Sequence, residues 1–433
     1  MKNRFYRMGI TLLGATCLLS TCGITSCQDT EFDTLENTLP SDLKASIYDE
    51  LKNNGTFTTE VRLIDDLDYA DVLAKTGSKT LFVANDDAFA QFFKTTNWKD
   101  GNGNPIRSYE QLSMNQKRLL LNGSMLNNAY VMEMLSNTAG TAGKNLCLRQ
   151  GTNASATDSI AFWHYYELPQ MKYVAEEGES SNSANLRDVW SWYRTQEKGG
   201  IYMATDGTNP MMTHFLEGQM KDKNIKHSDI TFLLNQPVDS WPEDGGDRSY
   251  IYNRQVIEQD VTCLNGYYHV LDAVLVTPPS MAEVIRQNEQ TSLFSEMLER
   301  FSIPLYNAQL TSEYQQLHQS LNIDSVFTKK YIATNTAVGA INNDLNNRSL
   351  GEFPKLSYDP GWNAYAISST TVKENDMGAM FVPSNAALES YFLEGASTTL
   401  MNRYAKQKPV TRENLSFNVA QIPLNVVALS STT

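Results

Sequence analysis

Cysteine and histidine are scarce in this chain, basic residues are outnumbered, and no long apolar run interrupts its body. Only 5 of 433 residues are Cys and 5 are His, while 35 Lys and Arg face 49 Asp and Glu, for a formal net charge of −14. So few cysteines exclude a small fold stapled by disulfides. Five scattered histidines without a His-x-x-x-His spacing argue against a zinc site. The deficit of Lys and Arg, with no basic stripe, excludes nucleic acid as a partner, because binding it depends on neutralising phosphates. With 24 Gly and 14 Pro the chain is neither collagen-like nor of low complexity. No Gly-x-Ser-x-Gly elbow occurs, so no serine is marked as an activated nucleophile. We therefore expect no enzymatic activity, no cofactor and no metal.

What is present begins at the N-terminus. Lys2, Arg4 and Arg7 precede an apolar stretch from Met8 to Leu19, a length suited to export and too short to span a bilayer. Cys17 lies within this stretch, and Cys22 and Cys27 follow it. The run Ile24-Thr25-Ser26-Cys27 resembles a bacterial lipobox, with Leu19-Ser20-Thr21-Cys22 as the competing site. Ser26 is the smaller residue before the cut, and the acidic Asp29, Glu31 and Asp33 come after it, so Cys27 is preferred as the lipidated residue. An acidic stretch in that place resembles a surface-export signal of Gram-negative lipoproteins. The expectation is a signal peptide over 1–26, an acidic tether over 27–40, and an outer-membrane protein that meets the membrane only through its lipid and faces outward. Cys147 and Cys263 remain in the body, either as one disulfide or as two separate buried thiols.

Structure is expected from Ser41, as the cap of a helix carrying Leu43, Ile47 and Leu51 on one face and ending at Asn54-Gly55. Thr80 to Ala84 has the length and composition of a strand, Asn85 is a cap, and Phe89, Phe92 and Phe93 lie at helical spacing. Downstream, the aromatic and β-branched run Ser249–Cys263 turns at Leu264-Asn265-Gly266 into Tyr267–Val276, which predicts a hairpin. Pro278 and Pro279 stop it, and Ser280 with Glu283 forms a capping box. Residues 138–247 between these landmarks read as an insertion with a helix over Asn185–Glu197. Phe82-Val83-Ala84-Asn85 and its three aromatics recur 299 positions on as Phe381-Val382-Pro383-Ser384 with Leu388, Tyr391 and Phe392, after a helix bearing Leu293, Phe294, Met297, Leu298 and Phe301.

Thr80-Leu-Phe-Val-Ala-Asn-Asp-Asp-Ala-Phe89 and Asn265-Gly-Tyr-Tyr-His-Val-Leu-Asp-Ala-Val-Leu275 resemble, in order, the first motif and the closing strand of the fasciclin domain. The resemblance implies an α+β fold, a β-wedge with packed helices, in two copies: a first domain over 41–287 and a second over 288–433 that lacks its closing strand. It also implies a non-catalytic adhesion or binding role toward a glycan polymer or a protein. A structural accessory subunit of an outer-membrane nutrient-uptake complex is the alternative. In animal members a Tyr-His pair of the closing strand is tied to receptor binding, which would make Tyr268 and His269 contact residues. The residues themselves favour a buried, hydrogen-bonded His269 beside the Thr80 strand, with Asp272 able to orient the imidazole. Asp239, Glu243, Asp244 and Asp247 form an acidic loop without the alternating order of a calcium site. Two aromatic groups, Trp163 with Tyr165 and Tyr166, and Trp190 with Trp192 and Tyr193, are the candidate ligand-stacking rings. One helix face cannot hold both Trp190 and Trp192, so they are expected to divide between core and surface.

Overall fold

A computed structural model describes residues 45–75, 77–100, 103–136, 149–174, 177, 188–195, 199–204, 211–226, 228–229, 232, 249–333, 355–357, 359–361 and 380–430. Ser41, Cys22, Cys27, Cys147, the acidic loop and the ends of the expected Asn185–Glu197 helix lie outside them. The fold is mixed α+β. In chain order the elements are α1 (Ile47–Asn54), α2 (Thr58–Asp66), α3 (Ala70–Lys75), β1 (Lys79–Ala84), α4 (Asp86–Thr95), α5 (Met114–Gly123), β2 (Met125–Leu126), β3 (Arg149–Gly151) and β4 (Ile160–His164). They continue with α6 (Ser191–Arg194), β5 (Gly200–Ala204), β6 (Met211–Phe215), α7 (Glu217–Asp222), β7 (Tyr250–Ile251), β8 (Arg254–Cys263), β9 (Gly266–Leu271), α8 (Met281–Gln287) and α9 (Ser292–Glu299). The last are β10 (Ser302–Tyr306), α10 (Ala308–Leu317), β11 (Val326–Tyr331), α11 (Asn385–Leu393), α12 (Thr398–Tyr404), α13 (Arg412–Ala420) and α14 (Leu424–Ser430). Among the described residues no helix is long and apolar enough to cross a membrane.

Local signals set the first layer. Ser46 caps α1 by accepting from Asp49 N–H, and Gly55 ends it at φ 77°, where a residue without Cβ pays no steric penalty. Asn85 caps α4 through Ala88 N–H, which converts the apolar run of β1 into a helix within one residue. β1 lies parallel to β9 with Phe82 directly opposite His269, and β9 closes a hairpin with β8. Asn265 and Gly266 make that junction. The Asn265 amide accepts from Ile47 N–H at 2.9 Å and donates to the Leu73 carbonyl at 2.6 Å, tying α1 and α3 to the hairpin. A Cβ on Gly266 would stand 1.9 Å from the Lys79 carbonyl oxygen, so only glycine lets β9 approach β1. Ser280 caps α8, but Glu283 turns to Arg286 (2.5 Å) and Gln287 (2.9 Å), ion-pairing with one and accepting from the other, where a reciprocal box was expected.

The stretch expected to be an insertion of the first domain is divided between two sheets. Its β3 and β6 extend the first sheet, ordered β2-β1-β9-β8-β7-β6-β3. Its β4 and β5 join β10 and β11 in a second, ordered β10-β11-β5-β4, where β5 runs parallel to β11. The reason is burial. Trp163, Ile201 and Met203 share a core with Phe301, Ile303 and Phe327 and with the helices that carry Leu388, Phe392, Leu415 and Val419. Residues Ser46–Thr433 accordingly form one compact unit, and the expected break at 287/288 is crossed by strand pairing.

The expected second strand at Phe381 does not form. Phe381 is 97% exposed and the segment 381–384 is irregular, although Ser384 caps α11 and buries Leu388 and Phe392 as the pattern required. Pro383 has no N–H to offer a ladder. Among the described residues nothing stands to this segment as β9 stands to β1.

Candidate functional site

His269 occupies the centre of the first sheet and is fully buried. Its ring stacks on Phe82 at 5.0 Å. Nδ1 accepts from Asp260 N–H at 3.0 Å, which leaves Nε2 as the protonated nitrogen, donating to the Tyr130 carbonyl at 3.1 Å. Thr80 completes the clamp, since its hydroxyl donates to Asn128 O at 2.6 Å and accepts from Tyr130 N–H at 2.8 Å. Asp260 sits at φ 60° where the β8–β9 register shifts, and its carboxylate accepts from Met132 N–H at 2.8 Å. Together Thr80, His269 and Asp260 pin residues 128–132 against the sheet. Asp272, expected to orient the imidazole, instead accepts from Gln255 N–H at 2.9 Å and closes the hairpin base; burial raises its pKa. Tyr268 is buried and edge-on to Phe57, a place in the core that removes it as a contact residue.

Burial pushes the pKa of His269 down to about 4 against the weaker opposing pull of the Tyr130 carbonyl and Asp260, and burial pushes that of His214, on β6, down to about 4 as well. A folded-state pKa below the unfolded one means that the folded protein binds fewer protons, so stability falls as pH drops from about 6.5 toward 4. Glu60 on α2 moves the other way. Burial, with Asp86 beside it, raises its pKa to about 8, so the folded state holds a proton that the unfolded chain releases, and stability falls as pH rises from about 4.5 to 8. Thermal unfolding across pH 4–9 is expected to peak near pH 6.5, with a change of about 2 kcal/mol on the alkaline side. Glu60→Gln should flatten the alkaline limb and steepen the acid limb between pH 4.5 and 6.5, and equal alkaline limbs in the two proteins would contradict this assignment.

The candidate stacking rings separate by burial. Trp190 and Tyr193 are fully buried, and Trp163 is 7% exposed, so these three are core residues and not the exposed rings expected of them. Trp192 is 40% exposed and takes the surface half of the pair, resting edge-on against Tyr193 at 4.8 Å. The buried three lead into a charged cluster. Trp190 Nε1 donates to the Ser302 carbonyl at 3.0 Å, and the Ser302 hydroxyl lies 2.9 Å from Glu299 Oε2. Glu299 Oε1 accepts from Lys329 Nζ at 2.7 Å and from Tyr331 at 2.5 Å. Burial alone would raise the Glu299 pKa, but Lys329, Tyr331 and Arg286 outweigh it and hold the carboxyl below its usual range. Trp163 presents its face to the Arg286 guanidinium at 4.4 Å. The described cleft nearby lies between residues 170–173, α9 and α13, where Lys172 donates to Ser416 at 2.9 Å and pairs with Glu296.

Exposed rings do converge at the end of β4, the edge strand of the second sheet. Tyr165 is 54% and Tyr166 60% exposed. Tyr166 stacks on His164 at 5.2 Å and 4°, and Tyr165 meets Tyr166 at 5.4 Å and 82°. Phe162 continues the series to His164 at 5.2 Å and across the strands to Tyr202 at 5.1 Å. The backbone under the tyrosines is held tightly. Tyr165 N–H donates to Gly199 O, Glu167 N–H to His164 O, His164 N–H to the Glu167 carboxylate, all at 2.8 Å, and the Gln170 amide to Tyr165 O at 3.0 Å. Among the described residues no three His, Cys, Asp or Glu side chains converge as metal ligands would.

The class defined by this geometry is an α+β protein with a buried polar pin at the centre of one sheet and an aromatic strip on the edge of the other. No protein-family model matches the chain, and no curated protein matches it.

Proposed function

We propose that the protein is a non-catalytic binding lipoprotein, anchored through Cys27 to the outer membrane and displayed outward, which engages its ligand with the Tyr165–Tyr166 strip. The carrying observation is that two largely exposed rings stand on a turn whose backbone is closed by four hydrogen bonds. Ordering the turn in advance lowers the entropic cost of binding, and large exposed rings supply the contact area. The imidazole of His269, with both nitrogens engaged in the core, is taken up by structure, which favours a binding role over a hydrolytic one.

The reading includes a fasciclin-like architecture with a second, incomplete copy. Support comes from the capping residues. Asn85 and Ser384 each cap their own helix, and the next residue in each case, Asp86 or Asn385, caps an earlier helix by accepting from Thr59 N–H (2.8 Å) or Leu293 N–H (2.9 Å). Ser113 with Gln116 and Thr411 with Asn414 then form capping boxes on α5 and α13.

The test is retention of the detergent-solubilised full chain on a panel of immobilised polysaccharides and extracellular proteins. Replacing both Tyr165 and Tyr166 with Ala should weaken retention at least about tenfold with the melting temperature preserved, since aromatic anchors dominate such contacts. Unchanged retention on every member of the panel would refute the site.

A further inference from the structure

We infer that the Tyr165–Tyr166 corner is a subsite for a pyranose ring of a neutral polysaccharide. The inference rests on the binding role proposed above and narrows it to one ligand chemistry. One face of Tyr166 is covered by the parallel His164 ring, so the opposite face is the one turned to solvent. Tyr165 stands nearly perpendicular beside it, and the two rings make a right-angled corner. A pyranose carries axial C–H groups on a face and hydroxyls around its rim. Its C–H face fits the negative face of an aromatic ring, while a phenol hydroxyl can hydrogen-bond the rim.

The strip has a direction as well as a corner. Phe162, half-buried, continues it along β4, and Tyr202 on β5 anchors that end to Tyr314 in the core, so the open corner leads along β4 in a direction that suits a chain polymer. Gly200 allows this layout, because a Cβ there would stand 2.1 Å from the Trp163 carbonyl oxygen and push β5 away from the strand that carries the rings. Charge selects the polymer class. The Glu167 carboxylate at the corner is engaged by His164 N–H, among the described residues no Lys or Arg takes part in the ring series, and the chain carries a net charge of −14, so a polyanionic glycan would be repelled.

Affinity electrophoresis of the full chain in detergent distinguishes the outcomes, using a β-1,3-glucan, a xyloglucan, an α-glucan and a galactomannan, with alginate as the polyanionic arm. At least one neutral polymer should retard the protein and alginate should not. Tyr166→Ala should lose at least about tenfold in affinity, while Tyr166→Phe, which keeps the stacking face, should stay within about threefold. A melting curve for each variant separates loss of the ring from loss of the fold. If no neutral polymer retards the wild-type chain, or only alginate does, the inference is overturned. If an extracellular protein alone binds through Tyr165 and Tyr166, the pyranose assignment fails and the binding role stands. If a neutral polymer binds and Tyr166→Ala changes nothing, both the subsite and the strip as the binding site are refuted.

Discussion

Lys329→Ala is expected to destabilise the folded unit by about 3–5 kcal/mol at pH 7, the largest electrostatic effect available in the described structure. Lys329 and Glu299 are 6% and 7% exposed, and the ammonium lies 2.7 Å from Oε1. Removing the cation leaves the carboxylate buried with only Tyr331 and Ser302 as donors, while Arg286 acts from a greater distance. The cost comes from the stranded charge and not from the worth of the pair, so exchanging both partners for apolar residues has a different outcome. Lys329→Met together with Glu299→Leu should recover most of the loss, since a packed apolar pair needs no charge compensation. Urea unfolding midpoints of the wild type, the single and the double variant decide the matter. A single variant within about 1 kcal/mol of wild type would mean that the pair is solvated and the cluster is not a structural element.

The second large effect is at Trp190. Trp190→Ala should cost about 3–5 kcal/mol, because a fully buried indole leaves a cavity that the neighbouring β10 and β11 cannot close. The Ser302 carbonyl also loses its indole donor. Trp192→Ala is the matched control, two residues away, with a ring 40% exposed; it should change stability by less than about 1 kcal/mol. Thermal melts of both variants report the contrast, and comparable losses at the two positions would contradict the division of these rings between core and surface. A ligand-binding role for Trp190 would require the indole to be reachable, which its burial against Ser302 prevents. Trp192 keeps its exposed edge but stands apart from the ring series at Tyr165 and Tyr166.

Several features were legible because their causes are local. The switch from strand to helix at Ala84-Asn85-Asp86 needs only an apolar run, a side chain that can accept from the N–H three residues on, and helical spacing of aromatics. The hairpin at Leu264-Asn265-Gly266 was visible from its turn residues, and its glycine is required by the close approach of Lys79. The placement of His269 beside the Thr80 strand followed from the need of a buried imidazole for partners. Ser46 takes the cap of the described α1, a site the apolar spacing alone did not single out over Ser41. The Glu299–Lys329–Tyr331 cluster went unread, although Lys329-Lys330 inside the apolar run Val326–Ile332 was a usable signal. A lysine in a strand whose other residues are buried must find a carboxylate.

The sequence by itself determined the exchange between strand and helix in the first layer, the hairpin that carries His269 and the division of Trp190 from Trp192, each from spacings of a few residues; the mixed α+β class was what the family resemblance implied. Only the tertiary structure decided which sheet β4 and β5 join, that Trp163 and Tyr193 are core, that Asp260 and not Asp272 faces the imidazole, and that Tyr165 and Tyr166 lie together outside. The physical reason is that a side chain's burial is set by whatever covers it, and the cover comes from far along the chain. Trp190 meets its acceptor 112 positions away in Ser302, and β5 finds its parallel neighbour in β11. An apolar strand face states that it must be buried, and the competition among all remote faces of the chain selects the partner that buries it.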